Sequence, residues 1–195
     1  MPPKRSRPDR WRERRRRDKV LVVIDAAETE RQYLEQFRSK DSATVPYVKI
    51  VTKDKDPLTV VRHAIRLFKS GDFDEAWCVF DEDDYRDGGT FQRAVAEAGK
   101  RIRLAVSCPC FELWLLLHFE QCGSHLTQKE ALRRLRKHLP DYDKTTLRCE
   151  KFGPHQDTAL ERAKALEERH GQPHRNPSSG IWRLVERLSG GGAQP

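Results

Sequence analysis

The chain of 195 residues with a net charge of +8 fits one domain, because a single core stops growing at about 100–200 residues, so two independent domains are not expected. No stretch approaches the roughly 20 apolar residues that span a bilayer, and the Arg-rich start lacks the apolar core of a secretory signal, so a cytoplasmic protein without a membrane partner is expected. The odd set of cysteines, Cys78, Cys108, Cys110, Cys122 and Cys149, argues against a disulfide framework and predicts reduced thiols.

Residues 1–17 hold nine Lys or Arg against Asp9 and Glu13 and supply +7 of the +8, which leaves a nearly neutral body. Such an arm, with Arg12, Arg14, Arg15, Arg16 and Arg17 at its end, suits contacts to nucleic-acid phosphates, which need cations but carry no base information. A merely solvated basic tail is the alternative.

After the arm, Lys19 to Ile24 is an apolar run that reads as a strand buried on both faces, ending at Asp25. Glu28 to Arg38 follows with helical spacing, Tyr33, Leu34 and Phe37 on one side. Tyr47 to Val51 reads as a second strand, and Asp56-Pro57 opens a helix that closes near Gly71. Glu75 to Phe80 is a third strand, followed by a helix from about Thr90 to Lys100. Ile102 to Val106 is a fourth, followed by a helix from Cys110 to Glu120.

This alternation predicts an α/β fold with a mostly parallel sheet and helices on both faces. Beyond residue 122 the chain turns helical and polar: Thr127 and Glu130 form a capping box, Leu160 to His170 is amphipathic, and Asn176 to Leu188 reads as a short last helix. One domain is expected over 18–188, with disorder in the Gly-rich 189–195.

Ligands at such sheets gather at the carboxyl ends of the strands. There, Asp81-Glu82-Asp83-Asp84 follows the apolar Trp77-Cys78-Val79-Phe80. Extended side chains alternate faces, so Asp81 and Asp83 point one way and Glu82 the other. Mg²⁺ needs one or two carboxylates beside substrate phosphates and water, and Asp25 stands at the matching end of the first strand, with Glu28 and Glu30 in the next turn. An acidic surface turn or helix N-cap is the alternative for Asp81 to Asp84.

Glu112 lies in Phe111 to Phe119, a run apolar on nearly all sides. A carboxylate there needs a cation, either an Arg or a metal, or must become neutral. His118 in the same run reads as a core histidine or as a base or phosphate ligand. Zinc on Cys108, Cys110, His118 and Cys122 is disfavoured, since Cys110 and His118 lie about 12 Å apart along a helix at 1.5 Å per residue.

Val22-Val23-Ile24-Asp25-Ala26-Ala27-Glu28-Thr29-Glu30, Trp77 to Asp84, Ala105 to Glu120 and the late Asn176-Pro177-Ser178-Ser179 with Leu184-Val185 together resemble the RloB-like family, over about residues 18–188. That family is found beside bacterial restriction and defence loci and is similar to Toprim domains, the metal-binding modules of topoisomerases, primases and overcoming-lysogenisation nucleases. The resemblance implies a Toprim-like, Rossmann-like fold, Mg²⁺ or Mn²⁺ on Asp25, Asp81 and Asp83, and roles for Glu30 and Glu112 in the chemistry. It also implies an AAA-type ATPase from the same locus as a partner. The family usually opens with Glu-Gly where this chain has Asp25-Ala26. The shorter acid weakens the expected site, and the missing glycine removes a backbone approach to phosphate.

The expected activity is therefore metal-dependent cleavage of DNA or RNA in phage defence. Its alternative is a catalytically weakened module that binds nucleic acid or the ATPase, and primase-like transfer is a third option. No G-x-x-x-x-G-K-S/T loop is present, so ATP hydrolysis by this chain is not expected.

Overall fold

The computed structural model describes residues 17–25, 28–38, 45–82, 89–170 and 175–190. The four apolar runs form parallel strands β1 (Lys19–Ile24), β2 (Tyr47–Thr52), β3 (Glu75–Asp81) and β4 (Arg103–Cys108), joined through α1 (Glu28–Glu35), α2 (Pro57–Ser70) and α3 (Thr90–Ala98). Then come α4 (Phe111–Leu117), α5 (Gln128–His138), α6 (Gln156–His170), a short strand β5 (Ser178–Ser179) and α7 (Ile181–Leu188). The sheet order is β2-β1-β3-β4-β5. This is the expected α/β fold with a helical C-terminal part.

Strand alternation sorts the core into two layers. Val20, Val22, Ile24, Trp77 and Val79 pack beneath α1, α4, α5, α6 and α7, whereas Leu21, Val23, Cys78 and Phe80 pack beneath α2 and α3. Val20 to Ile24 are fully buried because both faces of β1 are covered. Every residue of α4 is buried, which explains a helix with no polar stripe apart from Glu112.

Local signals fix the helix ends. Asp56 accepts the Thr59 N–H at 3.1 Å ahead of Pro57, and the Gly71 N–H donates to the Leu67 carbonyl at 2.9 Å. A Cβ on Gly71 would stand 2.8 Å from that carbonyl oxygen, so glycine is required by the close approach. In the capping box of α5, Thr127 Oγ1 accepts the Glu130 N–H at 3.3 Å and Glu130 Oε2 accepts the Thr127 N–H at 3.0 Å. Thr127→Ala is expected to cost about 1 kcal/mol, read as a lower urea midpoint at unchanged slope.

The last segment departs from the single helix expected over 176–188. Asn176 instead clamps Leu126, accepting its N–H at 2.9 Å and donating to its carbonyl at 2.8 Å. Ser178 and Ser179 pair antiparallel with Cys108 and Ser107, and the helix begins only at Ile181. The cause is tertiary: the outer edge of β4 has backbone groups that need partners, and the Gly180 N–H also bonds the Val106 carbonyl at 2.7 Å. Two serines carry no hydrophobic alternation that would announce a strand.

Candidate metal centre

The chain leaves β1 toward β2 on one side and returns to β3 on the other, so the crevice at the carboxyl ends of β1 and β3 is the topological switch point. Asp25 follows β1 directly, its N–H donating to the Val79 carbonyl at 3.2 Å. Asp81 is the last residue of β3. By alternation it shares the face of Val79, toward α1 and α4, and its carboxylate accepts the backbone N–H of Phe111. Glu82 turns to the opposite layer, where it is buried and accepts the Cys108 thiol at 2.7 Å. Asp83 lies outside the described residues.

Two further acids close on this crevice. Glu30 of α1 and Glu112 of α4 are each only 3% exposed. Glu28, two residues before Glu30 and on another side of α1, is instead paired at the surface with Arg31 at 2.6 Å. Burial pushes the Glu30 carboxyl up to about 8, with the charges of Asp25 and Glu112 adding to the rise and Lys144 opposing it. Asp81 is held well above the ordinary aspartate range, first by burial and then by the charges of Glu30, Asp25 and Glu112. Glu30 Oε2 is buried without a hydrogen-bond partner. This is an excess of negative charge in a place poor in water.

Lys144 supplies the local cation, with its Nζ 2.7 Å from Glu112 Oε1. Tyr142 donates to the same oxygen at 3.3 Å. Burial raises the Glu112 carboxyl, but the hydrogen bond and charge of Lys144 outweigh it, so Glu112 ends below the usual range. The loop carrying Lys144 is tied to α1: Thr29 Oγ1 donates to the Lys144 carbonyl at 3.0 Å, Gln32 Nε2 to the Thr145 carbonyl at 2.7 Å, and the Leu147 N–H to Gln32 Oε1 at 2.6 Å. Sequence reasoning required a cation for Glu112 and named Arg or a metal; Lys144 and Tyr142 were missed. The only trace of them is an aromatic and a lysine two apart in the polar stretch Asp141-Tyr142-Asp143-Lys144.

The four carboxylates are thus electrostatic neighbours rather than a finished cage. Among the described residues, no three His, Cys, Asp or Glu side chains stand close enough to hold one ion. The set still suits Mg²⁺ or Mn²⁺, hard cations that accept one or two carboxylates plus water and phosphate, and the orphaned Glu30 oxygen is a buried acceptor of the right chemistry.

His118 is a core residue. It is 1% exposed among Tyr33, Trp114 and Phe152, with Nδ1 3.0 Å from the Trp114 carbonyl and Nε2 3.3 Å from the Tyr33 hydroxyl, and burial lowers its pKa to about 4. The Arg17 guanidinium donates to the Val45 and Pro46 carbonyls at 2.7 and 3.1 Å, and Arg12, Arg14, Arg15 and Arg16 lie outside the described residues. No described helix is long and apolar enough to cross a membrane.

Among curated proteins and among solved structures, no match is found. The sequence model of the RloB-like protein family matches residues 20–188. That span takes in both strand ends with their acids, the buried Glu112, the Lys144 loop and the β5 edge: the chain belongs to the RloB-like protein family.

Proposed function

We propose that this protein is a Mg²⁺- or Mn²⁺-dependent nuclease, hydrolysing phosphodiester bonds of DNA or RNA in bacterial antiphage defence. The observation that carries the reading is Glu30, a buried carboxylate with an orphaned oxygen, set among Asp25, Asp81 and Glu112 at the switch point of a parallel sheet. The likeness of the family to Toprim modules supports it, as does the D-x-D of Asp81 and Asp83.

Asp25 and Asp81, with Asp83, are the residues that would hold the cation. A divalent ion held there would polarise a scissile phosphate and make a bound water more acidic. Glu30, a buried carboxyl held above the ordinary glutamate range in the metal-free fold, would take the proton of the attacking water. Lys144 pairs with Glu112 while its side chain stays about half exposed, so its ammonium can meet a phosphate oxygen.

The test is cleavage of supercoiled DNA and of total tRNA with Mg²⁺, with Mn²⁺ and with EDTA. Cutting that requires metal is expected; cutting that persists in EDTA, or none in the presence of the partner ATPase, contradicts the reading. Because Asp25 replaces the longer family glutamate, Asp25→Glu is expected to raise the cleavage rate about tenfold, as a group displaced by about 1 Å costs up to about 10²-fold. A fall in rate would show that the pocket has adapted to aspartate.

The same Asp25-Ala26 step favours a second reading, a catalytically weakened module that binds nucleic acid or an AAA-type ATPase. In that case Asp25→Glu leaves the protein inactive while nucleic-acid or ATPase binding persists.

A further inference from the structure

Several cations of this surface are held in ion pairs. Arg62 pairs with Glu97, Lys164 with Glu186, Arg183 with Glu167 and Arg187 with Glu75. Helix α5 instead gathers four cations on one face. Lys129, Arg133, Arg136 and Lys137 are all exposed and, spaced i, i+4, i+7 and i+8, share one stripe opposite the buried Ala131 and Leu135. None of the four makes an ion pair among the described residues. Within the same helix, Arg134 points elsewhere and pairs with Glu120 at 2.5 Å, while His138 stacks on Phe119. Glu130, the acid nearest the stripe, is held in the capping box.

One end of the stripe is electrostatically linked to the loop that carries Lys144. Arg136, in the last turn of the helix, acts electrostatically on Asp143, the neighbour of Lys144. Arg148 and Lys151 add positive charge farther along the loop, lining one shallow depression with Asp141, Tyr142 and Thr146. The chain body outside the N-terminal arm is nearly neutral, so this concentration of unpaired cations is local and not a reflection of general basicity.

We propose that the exposed face of α5 and the loop after it bind the phosphate backbone of a nucleic acid and deliver it to the carboxylate pocket, with Lys144 at the junction. The inference deepens the nuclease reading and rests on it for the substrate class. Cation spacing along a helix matches repeating phosphates and has no means of reading bases, so binding on this face is strongly salt-dependent and tolerant of sequence.

The experiment measures equilibrium binding of the full chain to a labelled DNA duplex and to labelled tRNA across a salt series, in EDTA so that cutting plays no part. The triple variant Arg133→Ala, Arg136→Ala, Lys137→Ala keeps helix propensity. It is expected to bind at least about tenfold more weakly and to flatten the duplex salt slope by about 2–3, at roughly 0.9 per lost phosphate contact. Arg133→Lys with Arg136→Lys retains the slope. Arg66→Ala with Lys69→Ala, on α2 of the other layer, leaves it unchanged. The arm that loses more affinity names the nucleic acid. An unchanged slope in the triple variant, an equal loss in the α2 control, or no binding of either nucleic acid by the wild type overturns the inference. Absent cleavage with binding and slope as expected would instead count against the nuclease reading alone.

Discussion

Asp81→Asn is expected to cut metal-dependent cleavage by at least about 10³-fold and, at the same time, to raise the melting temperature of the metal-free protein at pH 8. Both effects come from one fact: Asp81 faces three other carboxylates, and its own charge is disfavoured by burial and by theirs. Asparagine removes that charge, keeps the size, and retains an oxygen to accept the Phe111 N–H. Repulsion with Glu30, Asp25 and Glu112 is relieved, and the site loses the ligand that would hold the ion. A catalytic position that destabilises the resting fold is the usual trade between stability and activity. A variant less stable than the wild type in EDTA would mean that Asp81 is a structural acid. Retained cleavage would mean that the ion, if any, is held elsewhere.

The second large effect is on pH dependence. The Glu30 carboxyl is raised in the folded protein from an ordinary 4.5 to about 8, so between those values the folded state binds more protons than the unfolded one. Stability then falls as pH rises through that window, by a few kcal/mol at one pK unit per about 1.4 kcal/mol. Asp81 contributes with the same sign. Glu112 has the opposite sign: its pKa is depressed, so its stabilising pair with Lys144 is lost as pH falls below 4.5. In urea titrations of the metal-free protein, stability should decline from pH 4.5 to pH 8, and Glu30→Gln should remove much of that decline. Saturating Mn²⁺ should offset the decline as well, since a bound cation neutralises the same charges. An identical decline in Glu30→Gln would show that Glu30 is not the titrating group.

Much of this was legible from residues alone, for identifiable reasons. The strands β1 and β3 are apolar on both faces, a pattern that a parallel sheet covered by helices imposes, and acids at their carboxyl ends interrupt it visibly at Asp25 and Asp81. The opposite facing of Glu82 follows from the pleat, and its contact with Cys108 agrees. Glu112 stood out because a charge inside an apolar helix needs a partner. Which partner was illegible: residues 139–155 have no hydrophobic period, and Lys144 reaches Glu112 only because Thr29 and Gln32, more than a hundred residues earlier, tie down the loop. β5 was hidden for a similar reason, since Ser178 and Ser179 form a strand to satisfy the edge of β4 and not through any propensity of their own. The basic stripe of α5 was present in the sequence but overshadowed by the denser N-terminal arm.

The most direct test of the central claim, that these carboxylates form a divalent-cation site, is calorimetric titration of Mn²⁺ into the wild type and into Asp81→Asn at pH 8. It requires neither substrate nor activating partner. The account predicts saturable binding to the wild type, competed by Mg²⁺, and none to the variant. Equal binding by both proteins, or no binding by the wild type, would contradict it.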